Sequence, residues 1–348
     1  MHTSESIRGA CLQDLEFLPA FLQTNDAGFQ SNALPGQQAS RDAALQEARR
    51  SAESVDTEAQ ATQLIQQYLR TWRSGHLTVE SLSGDSSTLA DGRPSPARLP
   101  RVESLSASTV LVTLPSFFPA AREPLATLLD QQRPLLDSHA NWIVDVRGND
   151  GGADSTYAPL LPWLVPDGWL AISERIWVTD ANIHAEESVC AIFAPGDEEC
   201  LRHTHASARR MRAAGAGWVQ QEFDAGWRQE RPARLEGMRP QRVAVLMDGQ
   251  CGSSCEQFLL TVRQSFAVKL VGRSRTHGVL DASNLRPCLL PSGRRRLWYA
   301  TTLSNRLPAM PVDGMGVCPD ILLPASAESD ASDHDVERTR RWLEQGSW

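Results

Sequence analysis

The chain of 348 residues is long enough for one large or two moderate domains, and its formal net charge of −8 disfavours nucleic acid as a partner. It has no apolar run long enough for a transmembrane helix. Its Met1-His-Thr-Ser-Glu start lacks the basic and apolar regions of a signal peptide, so the protein is expected either to be cytoplasmic or to have lost a leader. The cations are almost all arginine, and Lys269 is the one lysine, so a serine–lysine mechanism has a single candidate. The seven cysteines lean toward an oxidising compartment, which favours a periplasmic or secreted location over a cytoplasmic one. Cys190 and Cys200 flank the acidic loop Ala-Pro-Gly-Asp-Glu-Glu, which suits a disulfide. Cys251 and Cys255 have neither a partner pair nor nearby histidines, so no metal is expected.

In chain order, residues 10–75 read as helical. Asp14–Leu22 is a short apolar-rich segment and Asp42–Ser54 is rich in Ala, Gln, Glu and Arg. Thr57–Trp72 places Ala61, Leu64, Ile65, Tyr68, Leu69 and Trp72 at helical spacing. The helical pattern stops at Ser74-Gly75-His76. Residues 81–105, rich in Ser, Gly, Pro and Asp, read as a linker, which divides the chain into a helical region over 1–80 and a core over 106–348. In the core, Thr109–Leu114, Asn141–Val146, Leu170–Val178, Val243–Met247, Ala267–Val271 and Leu297–Thr302 read as strands. Glu123–Leu136, Tyr157–Leu164, His203–Phe223, the run opening at Ser253, and Asp335–Leu343 read as helices, with 180–240 as an insertion. The alternation implies an α/β fold with a mainly parallel sheet, and no internal repeat is present.

Two Gly-rich turns follow buried strands: Arg147-Gly-Asn-Asp-Gly-Gly152 and Gly249-Gln-Cys-Gly-Ser253. Neither has the Lys of a Walker loop, the spacing of a dinucleotide fingerprint or the Gly-x-Ser-x-Gly of a nucleophile elbow. Ser253 opens a helix as its N-cap, with Glu256 completing a capping-box pattern. A capped helix explains this stretch without catalysis. A serine on a tight turn, with glycines elsewhere to offer N–H groups, is also an acyl-transfer arrangement.

The ordered set Asp145-x-Arg147-Gly-Asn-x-Gly-Gly152, Ser253-x-x-Glu256, Val271-Gly-x-x-x-Thr276-x-Gly278 and Gly316-Val-x-Pro-Asp320-Ile resembles the tail-specific (C-terminal processing) serine proteases over residues 105–325. The resemblance implies a crotonase-like (ClpP/crotonase) core with an N-terminal helical region, Ser253 as nucleophile, and the Gly152 and Ser254 N–H groups as an oxyanion hole. It implies no cofactor, and an extended peptide or unfolded protein as substrate. The chain departs from the bacterial processing branch: valine (Val279) stands where that branch has its lysine, and the 81–105 stretch is too short for a PDZ domain. It is similar instead to the tricorn-core branch, which implies His76 as base and Asp313 as acid, although Gly75 replaces the serine that flanks the histidine there. His277 is the rival base, sharing a face with position 279 in an extended segment. Asp145 and Arg147 read as a structural ion pair, Glu256 as a cap, and Lys269 as a strand residue whose head reaches solvent. Two other classes compete: an inactive peptide-binding homologue, and a CoA-thioester enzyme on the related fold, which does not need the Ser-x-x-Glu helix start.

Overall fold

The computed structural model of the chain describes residues 2–32, 37–82, 99–237, 239–324 and 331–346. Its backbone divides into two units, each built from three stretches: Met1–Asp91, Ile172–Gly226 and Asp281–Pro311 form one, and Gly92–Ala171, Trp227–Leu280 and Val312–Trp348 the other. The strands, numbered in chain order, are β1 (Leu77–Ser81), β2 (Arg101–Ser104), β3 (Thr109–Thr113), β4 (Asn141–Asp145), β5 (Trp169–Ile172), β6 (Glu174–Val178), β7 (Gly217–Gln220), β8 (Trp227–Glu230), β9 (Arg242–Met247), β10 (Val268–Gly272), β11 (Ala282–Leu289), β12 (Arg295–Ser304) and β13 (Ile321–Leu322).

The second unit carries a six-stranded sheet in the order β13-β10-β9-β4-β3-β2. Neighbours from β13 to β3 are parallel, and the edge strand β2 runs antiparallel to β3. The apolar runs are continuous because both faces are covered. Val110, Val112, Trp142, Val144, Val243 and Val245 face one core, which includes Phe258 and Leu259 of the helix Ser254–Val262. Leu111, Ile143, Ala244 and Leu246 face another, closed by Leu343 of the helix Ala331–Gln345. This is the period-2 alternation of a strand expressed as two cores.

The first unit pairs helices with an antiparallel sheet, β1-β12-β6-β7, with β11 also on β12. Its helices are α1 (His2–Asn25), α2 (Ala27–Asn32), α3 (Gln37–Ala52) and α4 (Glu58–Arg70). Thr57 caps α4: the Gln60 N–H donates to its hydroxyl at 3.2 Å, and the Gln60 side-chain oxygen accepts the Thr57 N–H at 3.1 Å. Leu15, Leu18, Leu22, Ile65 and Leu69 then pack on Leu77, Leu297 and Tyr299 of the sheet.

Several expectations change. Leu170–Val178 is two strands in different sheets, β5 paired with β8 and β6 with β7 and β12; between them the Ser173 N–H donates to the Gly226 carbonyl at 3.0 Å. The helix expected over His203–Phe223 is Glu198–Ala214, ended by Gly215 at φ 76°, and Gly217 at φ 116° opens β7. In the stretch read as a linker, residues 83–98 lie outside the described residues and Arg101–Ser104 is a strand. The helices of the 1–80 region pack against strands contributed from 174–304. The Cys190–Cys200 disulfide is formed, and Cys251 and Cys255 are free and buried.

Candidate active site

Parallel strands deliver their following loops to one edge of a sheet, where open α/β folds place their sites. Strands β4 and β9 are adjacent and in parallel register, so the turns that follow them emerge side by side. The first is Arg147–Gly152 and the second Asp248–Ser253. They are bonded to each other: Asp248 accepts the Gly148 N–H at 3.1 Å, and the Gly252 N–H donates to the Asn149 carbonyl at 3.2 Å. Asn149, fully buried, accepts the Gly151 N–H at 2.9 Å and donates to the Leu114 carbonyl at 2.9 Å. The Asp145–Arg147 ion pair, 2.5 Å, braces the start of the first turn, as expected of a structural pair.

Ser253 sits at φ 55°, ψ −125°, a left-handed conformation that non-glycine residues rarely adopt. Its turn meets the glycine turn closely. A Cβ on Gly151 would lie 2.8 Å from Ser253 Cβ and 3.1 Å from Ser254 N. Gly152 has φ 142° and is tied to its neighbours: the Ser254 hydroxyl donates to its carbonyl at 3.0 Å, and the Phe117 backbone bridges alongside. The Gly152 and Ser254 N–H groups make no hydrogen bond among the described residues, and Ser254 opens a helix, where N–H groups lack intrahelical partners. A strained serine beside two open N–H donors is the arrangement acyl transfer requires.

Glu256 is the cap expected, and more. Fully buried, it accepts the Thr276 hydroxyl and the Gly278 N–H with Oε1, the latter at 2.7 Å, and the Val279 and Ser253 N–H groups with Oε2 at 2.9 and 3.2 Å. It therefore fastens the serine turn to the segment after β10. Burial pushes its carboxyl above the ordinary value of 4.5, against the downward pull of those four donors. Because the folded-state value is raised, the protonated form favours folding. The contribution to stability is present below the unfolded value and is lost as pH rises through the folded value. The four donors need a carboxylate, so function runs the other way. As pH falls from neutrality toward about 4.5, turnover is expected to drop while the melting temperature of wild type rises relative to Glu256→Gln. Rate and melting curves across that range check it; a parallel fall in both would contradict it.

His277 is exposed, its N–H donates to the Cys251 carbonyl at 2.8 Å, and its Cβ and Nδ1 lie 3.6 Å from where a Gly252 Cβ would be. Asp313 accepts the Leu280 N–H at 2.6 Å, and the Gly314 N–H donates to the Gly278 carbonyl at 2.9 Å. Val317 and Asp320 of the last motif hold backbone: the Val317 N–H donates to the Thr276 hydroxyl at 2.7 Å, and Asp320 accepts the Leu270 N–H at 2.9 Å. Lys269 is exposed on β10. Ser253, Ser254, Gly152, His277 and Asp313 all belong to the second unit, and His76 belongs to the first.

His76 follows α4 at φ 52°, and its Nδ1 lies 2.6 Å from the Ala282 carbonyl. A carbonyl only accepts, so Nδ1 carries the proton; in the neutral ring this makes Nε2 the acceptor nitrogen, the tautomer a general base needs. A backbone oxygen is invisible to motif reading, so Ala282 left no signal in the sequence. Asn149 lies inside the motif of the first turn, where its carboxamide holds backbone.

These strands, turns and helix start form a mixed α/β protein with a site suited to a serine nucleophile. The model of peptidase family S41 matches residues 108–322, more than half of the chain, and the chain belongs to that family, the one its motifs resemble. No curated protein matches it. Among solved structures, a point mutant of CPAF aligns with a TM-score of 0.66 at 12% identity, over 97% of this chain and 98% of that one. Mature CPAF complexed with lactacystin aligns at 0.61 and 13%, over 98% of each chain. A putative peptidase from Parabacteroides merdae aligns at 0.57 and 13%, over 98% and 96%. At these identities the likeness is one of fold. Family membership supports serine peptidase activity, and no helix among the described residues is long and apolar enough to cross a membrane.

Proposed function

We propose that the protein is a serine-type endopeptidase that cleaves extended peptides or unfolded protein segments through an acyl-enzyme on Ser253. The observation that carries this reading is the left-handed Ser253 turn set against the Gly151–Gly152 turn, with the open Gly152 and Ser254 N–H groups beside it. In the proposed sequence His76 Nε2 takes the Ser253 proton as the hydroxyl attacks a peptide carbonyl, and the two N–H groups receive the oxyanion. The imidazolium then protonates the leaving amine, and His76 activates the water that hydrolyses the ester. Asp313 is the proposed acid of the triad, and the Ala282 carbonyl supports the ring tautomer. The core is assigned to the crotonase-like class, which the parallel order of β13 to β3 supports. The Cys190–Cys200 disulfide supports a compartment outside the reducing cytosol.

The test is digestion of an unfolded protein such as reduced, carboxymethylated casein, read by mass spectrometry of fragments. Wild type is expected to produce discrete fragments, Ser253→Ala none, and His76→Ala far fewer. Retention of intact casein on wild-type protein without fragments would instead establish the inactive peptide-binding relative.

A further inference from the structure

His76 adopts a left-handed backbone conformation that is unfavourable for a non-glycine residue, so something must hold it there. The Ala282 carbonyl fixes the ring, but a ring is aimed only as well as its backbone is held. Arg73, just beyond the end of α4, holds that backbone. Its Nε donates to the Gly75 carbonyl at 2.7 Å and its Nη2 to the His76 carbonyl at 2.8 Å. The other edge of the guanidinium makes a bidentate pair with Asp26, at 2.6 and 3.0 Å. Asp26 sits in the corner between α1 and α2, is 2% exposed, and also accepts the Phe29 N–H at 2.8 Å.

We propose that Arg73, anchored by Asp26, is a positioning residue for the reaction: it clamps the Gly75–His76 backbone and thereby aims His76 Nε2. This rests on the reading of His76 as the base. The geometry calls for arginine in particular. Four bonds leave one planar group in two directions, toward two carbonyls and toward a carboxylate, and an ammonium on a flexible stem cannot reproduce that fork. The pair also borders a cavity of about 300 Å³ with Phe29, Arg41 and Trp72, so hydrogen bonds rather than close packing on every side set the guanidinium's orientation. Gly28 completes the seat: a Cβ there would come 1.9 Å from Arg73 Nη1, so a side chain at this position displaces the fork without changing any charge. Arg73 occupies none of the four motifs.

The experiment measures the rate at which a fluorophosphonate probe labels Ser253 in wild type, Arg73→Lys, Gly28→Ala, His76→Ala, and Arg73→Lys and Gly28→Ala each combined with His76→Ala, with a melting curve for every variant. A misplaced reacting group loses roughly 100-fold for 1 Å. Arg73→Lys and Gly28→Ala are expected to slow labelling by about 10- to 100-fold at a temperature where both remain folded. Added to His76→Ala, they are expected to slow it no further, because they act through the ring that is already gone. Equal slowing in both backgrounds marks a merely structural role and overturns the proposal. Unchanged labelling in Arg73→Lys and Gly28→Ala, with a slow His76→Ala, overturns it while leaving the base assignment intact. Unchanged labelling in His76→Ala overturns both.

Discussion

Gly152→Ala is expected to slow acylation of Ser253 by roughly 10²–10³-fold, the usual cost of losing one oxyanion donor. The added Cβ would lie 2.1 Å from the Phe117 carbonyl oxygen and 2.2 Å from its carbon, and these are backbone atoms that cannot rotate aside. Phe117 cannot retreat. Its N–H donates to the Gly151 carbonyl at 3.0 Å, its carbonyl accepts the Ala153 N–H at 2.8 Å, and its ring is fully buried against Tyr157 and Phe258. The glycine turn must therefore move, and φ 142° is unfavourable for alanine as well. Moving the turn carries the Gly152 N–H away from Ser254, whose hydroxyl is bonded to the Gly152 carbonyl. The contrasting variant is Gly148→Ala, where a Cβ would meet only the Gln250 side-chain oxygen at 3.7 Å. That variant carries the cost of positive φ without the collision, about 1 kcal/mol or more in stability. Stopped labelling time courses and melting curves on the two variants separate the effects. Full-rate labelling of Gly152→Ala would show that the Gly152 N–H takes no part.

The largest effect on stability is expected at Arg295, whose side chain is fully buried at the start of β12. Its Nη1 donates to Asp14 of α1 at 2.7 Å and its Nη2 to Glu58 of α4 at 2.5 Å. Asp14, also fully buried, further accepts the Ser292 N–H and hydroxyl at 3.0 and 2.8 Å. One guanidinium thus ties two helices to the sheet inside the core formed by Leu15, Leu18, Ile65 and Leu297. Arg295→Met leaves the Asp14 carboxylate buried without its cation, which costs about 3–5 kcal/mol. Adding Asp14→Leu removes the stranded charge, and the double variant is expected to recover most of that loss. Denaturant unfolding of the four proteins in the cycle measures both changes. A double variant no more stable than Arg295→Met would show that the pair does more than neutralise itself.

The second unit was legible because its signals are local. Thr109–Leu114, Asn141–Val146 and Val243–Met247 are apolar runs that can be buried on both faces, and the Gly-rich turns after β4 and β9 announce where the chain stops being strand. The Ser253–Glu256 spacing stated its own cap, and the bond from the Ser253 N–H to Glu256 is present. Alternating α/β signals could not reveal the antiparallel sheet of the first unit. Strand β6 pairs with β7 and β12 across long stretches of sequence, and β11, which pairs locally with β12, carries Pro287 and Arg286 rather than an unbroken apolar pattern. The break at Ser173 was hidden because apolar runs, Leu170–Ile172 and Ile176–Val178, lie on either side of Ser173-Glu174-Arg175. Within the candidate site, residue types suited to chemistry were legible in the sequence and the atoms that hold them were not. The Ala282 carbonyl and the Arg73 clamp on two carbonyls are backbone contacts, made by residues 206 and 3 positions from His76.

Every other proposed role depends on Ser253 as the nucleophile. Its most direct measurement is intact-mass spectrometry and peptide mapping after exposure to a fluorophosphonate probe. One adduct per chain is expected, located on Ser253, absent from Ser253→Ala and slow to form in His76→Ala. An unlabelled wild-type protein, under conditions that fully label a control serine protease, would contradict it. So would an adduct that persists in Ser253→Ala.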